Sequence, residues 1–528
     1  MVYKDINGFF HDFYLLHLRL HIFLYQSQGN TCIFSPMKQI APNVFQGVPN
    51  AAPGFLGSVL KDFTPRWIIG HPTFHNQDNI GSQLRKGILG AMENFADQKV
   101  AFIVSDGTCT EKNSDTATID AALFSAQETL ESLPKEKRND IFIFVGSYDG
   151  YNNDHTPGKG SALKLIFDEM GYTGAETLIL LDGDLKNDMA AWQRVFKDTV
   201  AYHEKSSLGQ NYFITARYAR HFVDASLTRM IVGPLTTLMG TYVPGGISGD
   251  IVLSAGAVAL ERASTWTNAR RRYGTDIATT FDNIAAGTAI YEVYLGAKLH
   301  DITDDAKLSV MPGEVIGAAL ERLLHYESLD QRVTRLLGAD TPLGHVTMRG
   351  PQETGIAFID PGETSVFNVA TKRLALVERF PLFEESMRVT LRPATFAMVQ
   401  KRHAALNRAL RDTTSQPLFL GIGAMEWTSF LHEAIGYALA VKDTTHACSA
   451  LNYLYTAAFL EFCAQKLAEL GCASVADIER VQKKLCVPKK DAQAFYAEKV
   501  DAAVKELAFG FFKNRNAILD RVQELAGN

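Results

Sequence analysis

The stretch at 177–185 constrains the fold of this chain more than any other, because an apolar run of strand length ends there in two aspartates. Asp182 and Asp184 follow the run, with Gly183 between them. Residues two apart on an extended chain emerge on the same side, and the glycine leaves the backbone free to turn. Mg²⁺ typically takes only one or two protein carboxylates plus phosphate oxygens. The motif therefore predicts a metal that holds a diphosphate. The alternative is an ordinary turn, in which Asp and Gly are common.

The composition is that of an ordinary globular protein. The chain has 528 residues, of which 46% are hydrophobic and 21% charged, and this length suits about two or three domains. Its formal net charge of -6 gives no general reason to expect nucleic-acid binding, so an anionic ligand needs a local basic pocket. The six cysteines form no CxxC pair, which predicts thiols in a reducing cytosol and not a zinc site or a disulfide framework.

Neither a transmembrane helix nor a signal peptide is predicted. The best apolar candidate, 9–25, is interrupted by Asp, Arg and His, and a basic n-region and a small-residue cleavage site are missing. We therefore expect a cytoplasmic protein. Residues 1–36 are unusually rich in His, Phe and Tyr, so Met37 is predicted as the true start. Detection of 1–36 in a mass spectrum of the native protein would contradict that start.

Changes in composition and hydrophobic pattern divide the chain into three regions. Residues 1–98 are predicted to form an N-terminal extension that packs on its neighbour, with one amphipathic segment at 80–95. Residues 99–337 carry the chemical motifs and are predicted to form the functional domain. Residues 338–528 are punctuated first by Gly, Pro and Thr and then become mostly helical, which predicts an accessory domain.

Apolar runs of strand length alternate with helical stretches in the functional domain. Strands are predicted at 100–104, 141–145, 177–181 and 211–215, and helices at 116–133, 159–170, 187–202 and 255–263. Segment 277–294 is predicted as a helix or a strand pair. This alternation favours an α/β fold with a sheet covered by helices on both faces, and ligands bind at the carboxyl ends of the strands in such sheets. The residues that this places at one edge are Asp106, Ser147, Asp149, Asp182 and Asp184.

The C-terminal region offers helices and one small β segment. The β segment is predicted at 355–359. Helices are predicted at 313–328, 394–412, 424–441, 447–470, 475–485 and 491–525.

Two basic stretches could meet an anionic ligand. The loop at 155–161 is rich in glycine and places Lys159 at a predicted helix start, where backbone N–H groups, the helix dipole and the ammonium can cradle a phosphate. Gly160 follows the lysine, so the loop is not a Walker A motif, and the alternative is a solvent-exposed lysine. The three arginines at 270–272 are more typical of a solvated helix face than of a phosphate clamp. His300 alone is more typical of a structural histidine than of a ligand.

Taken together, these elements resemble the GT-A glycosyltransferases, and within them the retaining glucosyl-3-phosphoglycerate synthases and mannosylglycerate synthases. The resemblance spans roughly 98–305 and depends on the order and spacing of five landmarks. These are the strand before Asp106, Gly146-Ser147, 157–163, 181–185, and 273–277 with 295–300. The resemblance implies a GT-A domain, which is a Rossmann-like mixed sheet that binds a nucleotide-sugar, joined to a mainly helical C-terminal domain.

The resemblance also implies roles for single residues. Asp184, with Asp182 beside it, corresponds to the DxD pair that holds Mg²⁺ or Mn²⁺ against the donor diphosphate, and His300 to the third metal ligand. Lys159 corresponds to the lysine at the donor nucleotide, and Ser147 to a contact with the base. Asp276 and Tyr273 correspond to residues near the transferred sugar and the acceptor. The full set of predicted substrate-binding residues is Asp106, Ser147, Asp149, Lys159, Asp182, Gly183, Thr228, Tyr273 and Asp276, of which Lys159 and Asp276 are predicted to be catalytic.

The sequence departs from the family pattern around the acceptor. Ser226 stands where the phosphoglycerate enzymes have an arginine that grips the acceptor phosphate, and only Thr228 of that pair matches. After the metal histidine the family has an Asn and an Arg, whereas Asp301, Ile302 and Thr303 follow His300 here. We therefore expect an acceptor other than a phosphorylated glycerate.

The predicted function is metal-dependent transfer of a hexose, glucose or mannose, from a nucleoside-diphosphate sugar to a small hydroxyl acceptor such as a glycerate-like compound or a sugar. The resemblance implies retention of the anomeric configuration and a homodimer. Two alternatives stay open, which are a sugar-phosphate nucleotidyltransferase and a non-catalytic nucleotide-binding scaffold. The sequence does not choose between uracil and guanine as the donor base.

Overall fold

The computed structural model describes residues 37–47, 51–108, 115–219, 226–300, 305–325, 341–356, 369–411, 421–469 and 501–527. The predictions for 1–36, for the helix at 475–485 and for most of the β segment at 355–359 lie outside the described residues. In the parts that are described, no helix is both long enough and apolar enough to span a membrane.

A mixed sheet forms the centre of the described chain. Its ten strands are β1 (Met37–Ala41), β2 (Val44–Gly47), β3 (Trp67–Thr73), β4 (Val100–Asp106), β5 (Ile141–Ser147), β6 (Thr177–Leu180), β7 (Tyr212–Ala219), β8 (Ile251–Ser254), β9 (Ala289–Ala297) and β10 (Val346–Arg349). Their order across the sheet is β1-β2-β5-β4-β3-β6-β8-β7-β9-β10. Strands β1 and β8 run antiparallel to their neighbours, and the other pairs are parallel.

Helices connect these strands, and the described elements after β10 are all helices. They are α1 (Phe55–Phe63), α2 (Ile80–Asn94), α3 (Ala117–Ser132), α4 (Lys135–Arg138), α5 (Lys159–Thr173), α6 (Met189–Glu204), α7 (Gly233–Leu238), α8 (Ala255–Ala263), α9 (Thr275–Ala285), α10 (Asp305–His325), α11 (Pro351–Thr354), α12 (Val369–Thr390), α13 (Pro393–Arg411), α14 (Ala424–Val441), α15 (Thr444–Glu469), α16 (Ala502–Lys513) and α17 (Asn516–Ala526). A 3-10 turn lies at Tyr151–Asn153 and a π-helical turn at Thr228–Val232.

The strands bury both of their faces, which explains why they read as apolar runs without alternation. In β4, Val100, Phe102 and Val104 point to one hydrophobic core, and Ala101 and Ile103 point to the other. The first core is closed by α2, α3 and α6. The second core is closed by α1, α5, α8 and α9 and continues into the C-terminal helices. The predicted α/β fold with helices on both faces and a helical C-terminal region is confirmed.

Strand β3 changes how the N-terminal region must be described. It lies in the middle of the sheet, with parallel hydrogen bonding to β4 on one side and β6 on the other. Residues before 99 therefore supply three of the described strands, although an extension was predicted there. The boundaries at 98 and at 337 stay predictions.

Most predicted elements of the functional domain have matching strands or helices. Segment 277–294 resolves into α9 followed by β9. The β segment expected at 355–359 is wrong at its start, since Gly355 closes α11 with a left-handed φ of 69°. The described strand of that region is β10, which pairs in parallel with β9.

Candidate functional site

Asp182 lies at the carboxyl end of β6 and is fixed by its backbone. Its N–H donates to Oδ1 of Asp250 at 3.0 Å, and its carbonyl accepts from Nε2 of Gln83 at 2.6 Å. Asp250 is nearby because β8 runs antiparallel to β6 and Ile251 pairs with Leu180. The antiparallel pairing therefore adds a second buried carboxylate beside Asp182.

Two glycines allow close packing of the backbone around this aspartate. A Cβ on Gly183 would lie 2.7 Å from Cγ2 of Thr73 and 2.9 Å from the carbonyl oxygen of Pro72. Gly249 has a φ of 77°, and a Cβ there would lie 2.4 Å from Oδ2 of Asp182. Both positions leave no room for a side chain, and Gly249 also has a backbone conformation that favours glycine.

The Asp182 carboxylate lies between two lysines. Its Oδ1 is 2.9 Å from Nζ of Lys159, and its Oδ2 is 2.6 Å from Nζ of Lys298. The Lys159 ammonium also contacts Oδ2 of Asp276 at 2.9 Å, and the Lys298 ammonium contacts Oδ2 of Asp250 at 2.6 Å. The five side chains form a chain of alternating charge, which we name the lysine–carboxylate cluster. Their order is Asp276, Lys159, Asp182, Lys298 and Asp250.

The charges of the cluster shift one another's pKa values. Burial would raise the pKa of Asp182, but the ammonium groups of Lys159 and Lys298 outweigh it and hold that pKa well below its usual range. Burial would lower the pKa of Lys159, but Asp182 and Asp276 outweigh it and raise that pKa. Burial raises the pKa of Asp276, against the opposing effect of Lys159. Asp182 and Lys159 therefore carry full charges in a largely buried setting.

Lys159 reaches the cluster from the first turn of α5, and the arginine loop at 270–272 holds that turn. Gly160 N–H donates to the carbonyl of Arg272 at 3.3 Å, and Ser161 N–H donates to the carbonyl of Arg271 at 3.0 Å. The first amides of a helix have no partner inside it, and here the arginine loop supplies two of those partners. The prediction of a backbone phosphate cradle needs correction at these two amides.

Arg270 is neither a solvated side chain nor a phosphate ligand. Its side chain is 1% exposed and contacts Oε2 of Glu261 at 2.5 Å and Oδ2 of Asp282 at 2.8 Å. Arg322 of α10 pairs with the other oxygen of Asp282. The predicted solvated face is therefore wrong for Arg270, because this guanidinium neutralises two buried carboxylates and anchors the loop that packs on α5.

Asp184 and His300 come together through a second set of backbone contacts. Lys186 N–H donates to the carbonyl of Leu299 at 2.8 Å, and Leu299 N–H donates to Oδ1 of Asn187 at 2.8 Å. Burial and the charge of Asp182 raise the pKa of Asp184, while Lys298 and His300 lower it. In the described part of the chain, no hydrogen bond or ion pair reaches the Asp184 carboxylate.

The predicted metal ligands fit a hard divalent cation in chemistry and charge. With Asp184, the cluster holds four carboxylates against two ammonium groups, an excess of two negative charges. Carboxylate oxygens and an imidazole nitrogen are ordinary ligands for Mg²⁺ or Mn²⁺. Among the described residues, however, no group of three or more His, Cys, Asp or Glu side chains is arranged to hold a metal. At Asp182, both carboxylate oxygens contact lysines.

Three predicted binding residues lie at the ends of β4 and β5. Asp106 is fully buried and accepts from Oγ1 of Thr73 at 2.9 Å and from the N–H of Thr108 at 2.9 Å, so its carboxylate closes a turn. Ser147 Oγ accepts from the N–H of Asp149 at 3.1 Å. The Asp149 carboxylate contacts Nδ1 of an exposed histidine, His155, at 2.8 Å.

The predicted acceptor residues lie beside the C-terminal helices. Thr228 begins the π-helical turn and is half-buried. The hydroxyl of Ser226, two residues earlier, contacts the hydroxyl of Tyr455 in α15. Tyr273 N–H donates to Oε2 of Glu314 in α10 at 3.2 Å.

Sequence reasoning missed Lys298 and Asp250. The available signals were the glycine-rich segment 245–250, which ends in Asp250, and the position of Lys298 two residues before His300. It also missed the end of β3 and the loop after it, where Thr73 and Asn76 pack against Gly183.

No protein-family model and no curated protein matches this chain. Among solved structures, it is similar to glucosyl-3-phosphoglycerate synthase from Mycobacterium tuberculosis in complex with Mn²⁺, UDP and phosphoglyceric acid, at 19% identity and a TM-score of 0.36, over 50% of this chain and 82% of that chain. The same enzyme in complex with Mg²⁺ and UDP matches at 19% identity and a TM-score of 0.35, over 52% and 86% of the two chains. A mycobacterial protein matches at 18% identity and a TM-score of 0.36, over 51% and 79%.

Proposed function

We propose that this chain is a metal-dependent glycosyltransferase that moves a hexose, glucose or mannose, from a nucleoside-diphosphate sugar to a small hydroxyl acceptor with retention of configuration. The observation that carries the proposal is the lysine–carboxylate cluster at the carboxyl end of β6. There Asp182 lies between Lys159 at 2.9 Å and Lys298 at 2.6 Å, with Asp184 two residues away. Carboxyl ends of strands are where ligands bind in such sheets.

The charge of the cluster suits departure of a diphosphate. Breaking the glycosidic bond puts negative charge on the leaving diphosphate, and a fixed ammonium such as Lys159 stabilises that charge where it develops. Asp182 and Asp276 hold the ammonium in place at 2.9 Å each. Losing one such donor typically costs about 2.7–4 kcal/mol in the transition state. Lys159 is therefore proposed as the catalytic cation, and Asp276 as a catalytic carboxylate near the sugar.

Asp182, Asp184 and His300 would hold Mg²⁺ or Mn²⁺. When bound, such a cation supplies positive charge to the phosphate oxygens of the donor. Asp184, which receives no hydrogen bond among the described residues, is the carboxylate most available to it.

The ends of β4 and β5 are proposed to hold the nucleoside. Ser147 and Asp149 are only partly buried, so their polar side chains are the proposed contacts with the base. Asp106 would act by holding the turn after β4, since its carboxylate is fully buried.

The acceptor is proposed to be a small hydroxyl compound without a phosphate group, such as a glycerate-like compound or a sugar. Thr228 and Tyr273 are the candidate contacts. Ser226, in place of a phosphate-gripping arginine, contacts Tyr455, and Arg217 pairs with Asp501. These contacts support the proposal that the C-terminal helices help to shape the acceptor site. A cytoplasmic location and a homodimer are part of the same proposal.

Calorimetric titration tests the donor site. UDP and GDP are titrated into the full chain with and without Mn²⁺, using the wild type, Asp184→Asn and the control Asp198→Asn, whose residue is exposed on α6. We expect metal-dependent binding of one nucleotide, lost in Asp184→Asn and kept in the control. Turnover of the matching nucleotide-sugar should fall by about 100-fold or more in Asp184→Asn. Absence of metal-dependent binding for both nucleotides would refute the proposal.

A further inference from the structure

Lys298 is a buried cation whose donors are all engaged. It follows β9, and its side chain is 6% exposed. Its ammonium lies 2.6 Å from Oδ2 of Asp182, 2.6 Å from Oδ2 of Asp250 and 2.8 Å from the carbonyl oxygen of Ser248. A lysine ammonium has three donors, so these three oxygens use all of them. The Tyr218 ring lies 5.4 Å from the same nitrogen.

We propose that Lys298 occupies the cation position at Asp182 in the metal-free protein and thereby sets the affinity of the site for a divalent metal. This inference rests on the proposed function, since it assigns Asp182 and Asp184 to the metal. Binding of the metal then requires the contact between Lys298 and Oδ2 of Asp182 to open.

A divalent metal must compete with two lysines for the oxygens of the Asp182 carboxylate. Oδ1 of Asp182 contacts Lys159 and Oδ2 contacts Lys298, so each oxygen already has a cation within 2.9 Å. A Mg²⁺ ion sits about 2.0–2.1 Å from its oxygen ligands, and at such a separation it repels an adjacent ammonium. The metal and the two lysines cannot all keep their closest positions.

Lys298, more than Lys159, is placed to yield. Besides Asp182 it contacts a second carboxylate, that of the fully buried Asp250, and the Ser248 carbonyl oxygen. It can therefore leave Asp182 and stay neutralised. Its charge also acts on Asp184, so its displacement changes the field at both predicted metal carboxylates. Lys159 also has a second carboxylate, Asp276, but the arginine loop holds the backbone of the helix turn that carries it.

Mn²⁺ binding without nucleotide measures this competition directly. Free Mn²⁺ is followed by electron paramagnetic resonance in titrations of the full-length wild type, Lys298→Met and the control Lys164→Met. Lys164 is a partly buried lysine, 20% exposed and paired with Asp168, outside the cluster. Coupling between two sites typically amounts to about 5–150-fold, so we expect Lys298→Met to bind Mn²⁺ at least about tenfold more tightly. The control should bind as the wild type does.

A variant with unchanged net charge distinguishes competition between Lys298 and the metal from a general effect of charge on Mn²⁺ affinity. Lys298→Met with Asp250→Asn removes one positive and one negative group, so the net charge of the cluster is unchanged. The new amide oxygen at position 250 can still accept from the N–H of Asp182. We expect this double variant also to bind Mn²⁺ more tightly than the wild type. It decides the question if Lys298→Met alone does not fold.

The outcomes for Lys298 and for the proposed function are distinguishable. Mn²⁺ affinity equal to the wild type in folded Lys298→Met, or in the double variant, overturns the competition even if UDP or GDP binds with metal. Tighter Mn²⁺ binding that Asp184→Asn abolishes supports it, whether or not either nucleotide binds. Absence of Mn²⁺ binding in every variant overturns the inference.

Discussion

Gly249 shows how one residue can control the cluster. Its φ of 77° is left-handed, and a Cβ at this position would lie only 2.4 Å from Oδ2 of Asp182, so any larger side chain meets both obstacles at once. Gly174 offers a matched comparison, because its φ is 74° and a Cβ there would meet nothing within 4 Å. The two glycines therefore share the backbone strain and differ in the contact.

We expect Gly249→Ala to lower donor turnover by about a hundredfold, since a displacement of about 1 Å in a site can cost that much. Gly174→Ala should lose about 1–2 kcal/mol of stability, the cost of a left-handed residue, and keep its turnover. Urea unfolding and donor turnover measured on both variants check this. Equal turnover in the two variants would contradict a role for the Gly249 contact.

At the residue scale, the sequence indicated three of the five residues of the cluster. Lys159, Asp182 and Asp276 were singled out by motif and resemblance, and the structure brings their charged groups together. Lys298 and Asp250 were missed because their roles depend on strand pairing. Asp250 reaches Asp182 only since β8 runs antiparallel to β6, and Lys298 reaches it only since β9 ends at the same edge. No local pattern records either fact.

At the scale of elements, a buried ion network holds the arginine loop against α8, α9 and α10. Arg270 neutralises Glu261 and Asp282 while only 1% exposed. Removing one partner of a buried pair leaves an uncompensated charge and typically costs about 3–5 kcal/mol. We expect Arg270→Met to lose that much stability in urea unfolding. Arg388→Met, from an exposed pair with Glu385, should show no measurable change. A loss in Arg270→Met no larger than in the control would contradict the network's importance.

The contact between α14 and α16 predicts a pH dependence. Burial lowers the pKa of His432 to about 4, against the opposing hydrogen bond to the carbonyl of Phe511. The unfolded chain takes up this proton below its usual pKa of about 6.5, while the folded chain does not until about pH 4. Stability from this group is therefore complete above pH 6.5 and lost as the pH falls, by about 3 kcal/mol at 1.36 kcal/mol per unit.

The pH dependence of urea unfolding between pH 6.5 and 4 tests this sign. His432→Gln keeps a donor for Phe511 and cannot titrate, so its stability should fall less steeply than that of the wild type. His345→Gln, at an exposed position, should follow the wild type. If the free energy of unfolding of His432→Gln falls with pH as steeply as that of the wild type, other groups cause the loss of stability in acid.

Elements with a clear hydrophobic periodicity in the sequence were predicted correctly. Helices α8 and α14 begin and end as predicted, because their apolar faces are clear in sequence. Strand β3 was missed although it is central. It contains Gly70, His71 and Pro72, and proline argues against a central strand because it cannot donate to the ladder. Here Pro72 lies next to the end of the strand, so only one terminal donor is lost.

At the scale of the whole molecule, the C-terminal helices share a hydrophobic core with one face of the sheet. Trp427 of α14 is fully buried in that core, and its indole N–H donates to the carbonyl of Met230 at 2.8 Å. The sequence predicted a separate accessory domain at 338–528, because the composition of the chain changes in that region. Composition cannot show that two regions bury their apolar faces against each other, since this depends on long-range packing.

This shared core predicts that sheet and C-terminal helices unfold together. Trp427→Ala should cost about 3–5 kcal/mol, and hydrogen exchange should speed up in β6, β8 and α14 by similar factors. Met425, two residues earlier and 83% exposed, supplies the control, and Met425→Ala should leave exchange unchanged. Faster exchange confined to the C-terminal helices would mean that they open without the sheet. Because the cluster lies at the end of β6, the coupled result would also make donor-site stability depend on a tryptophan far away in sequence.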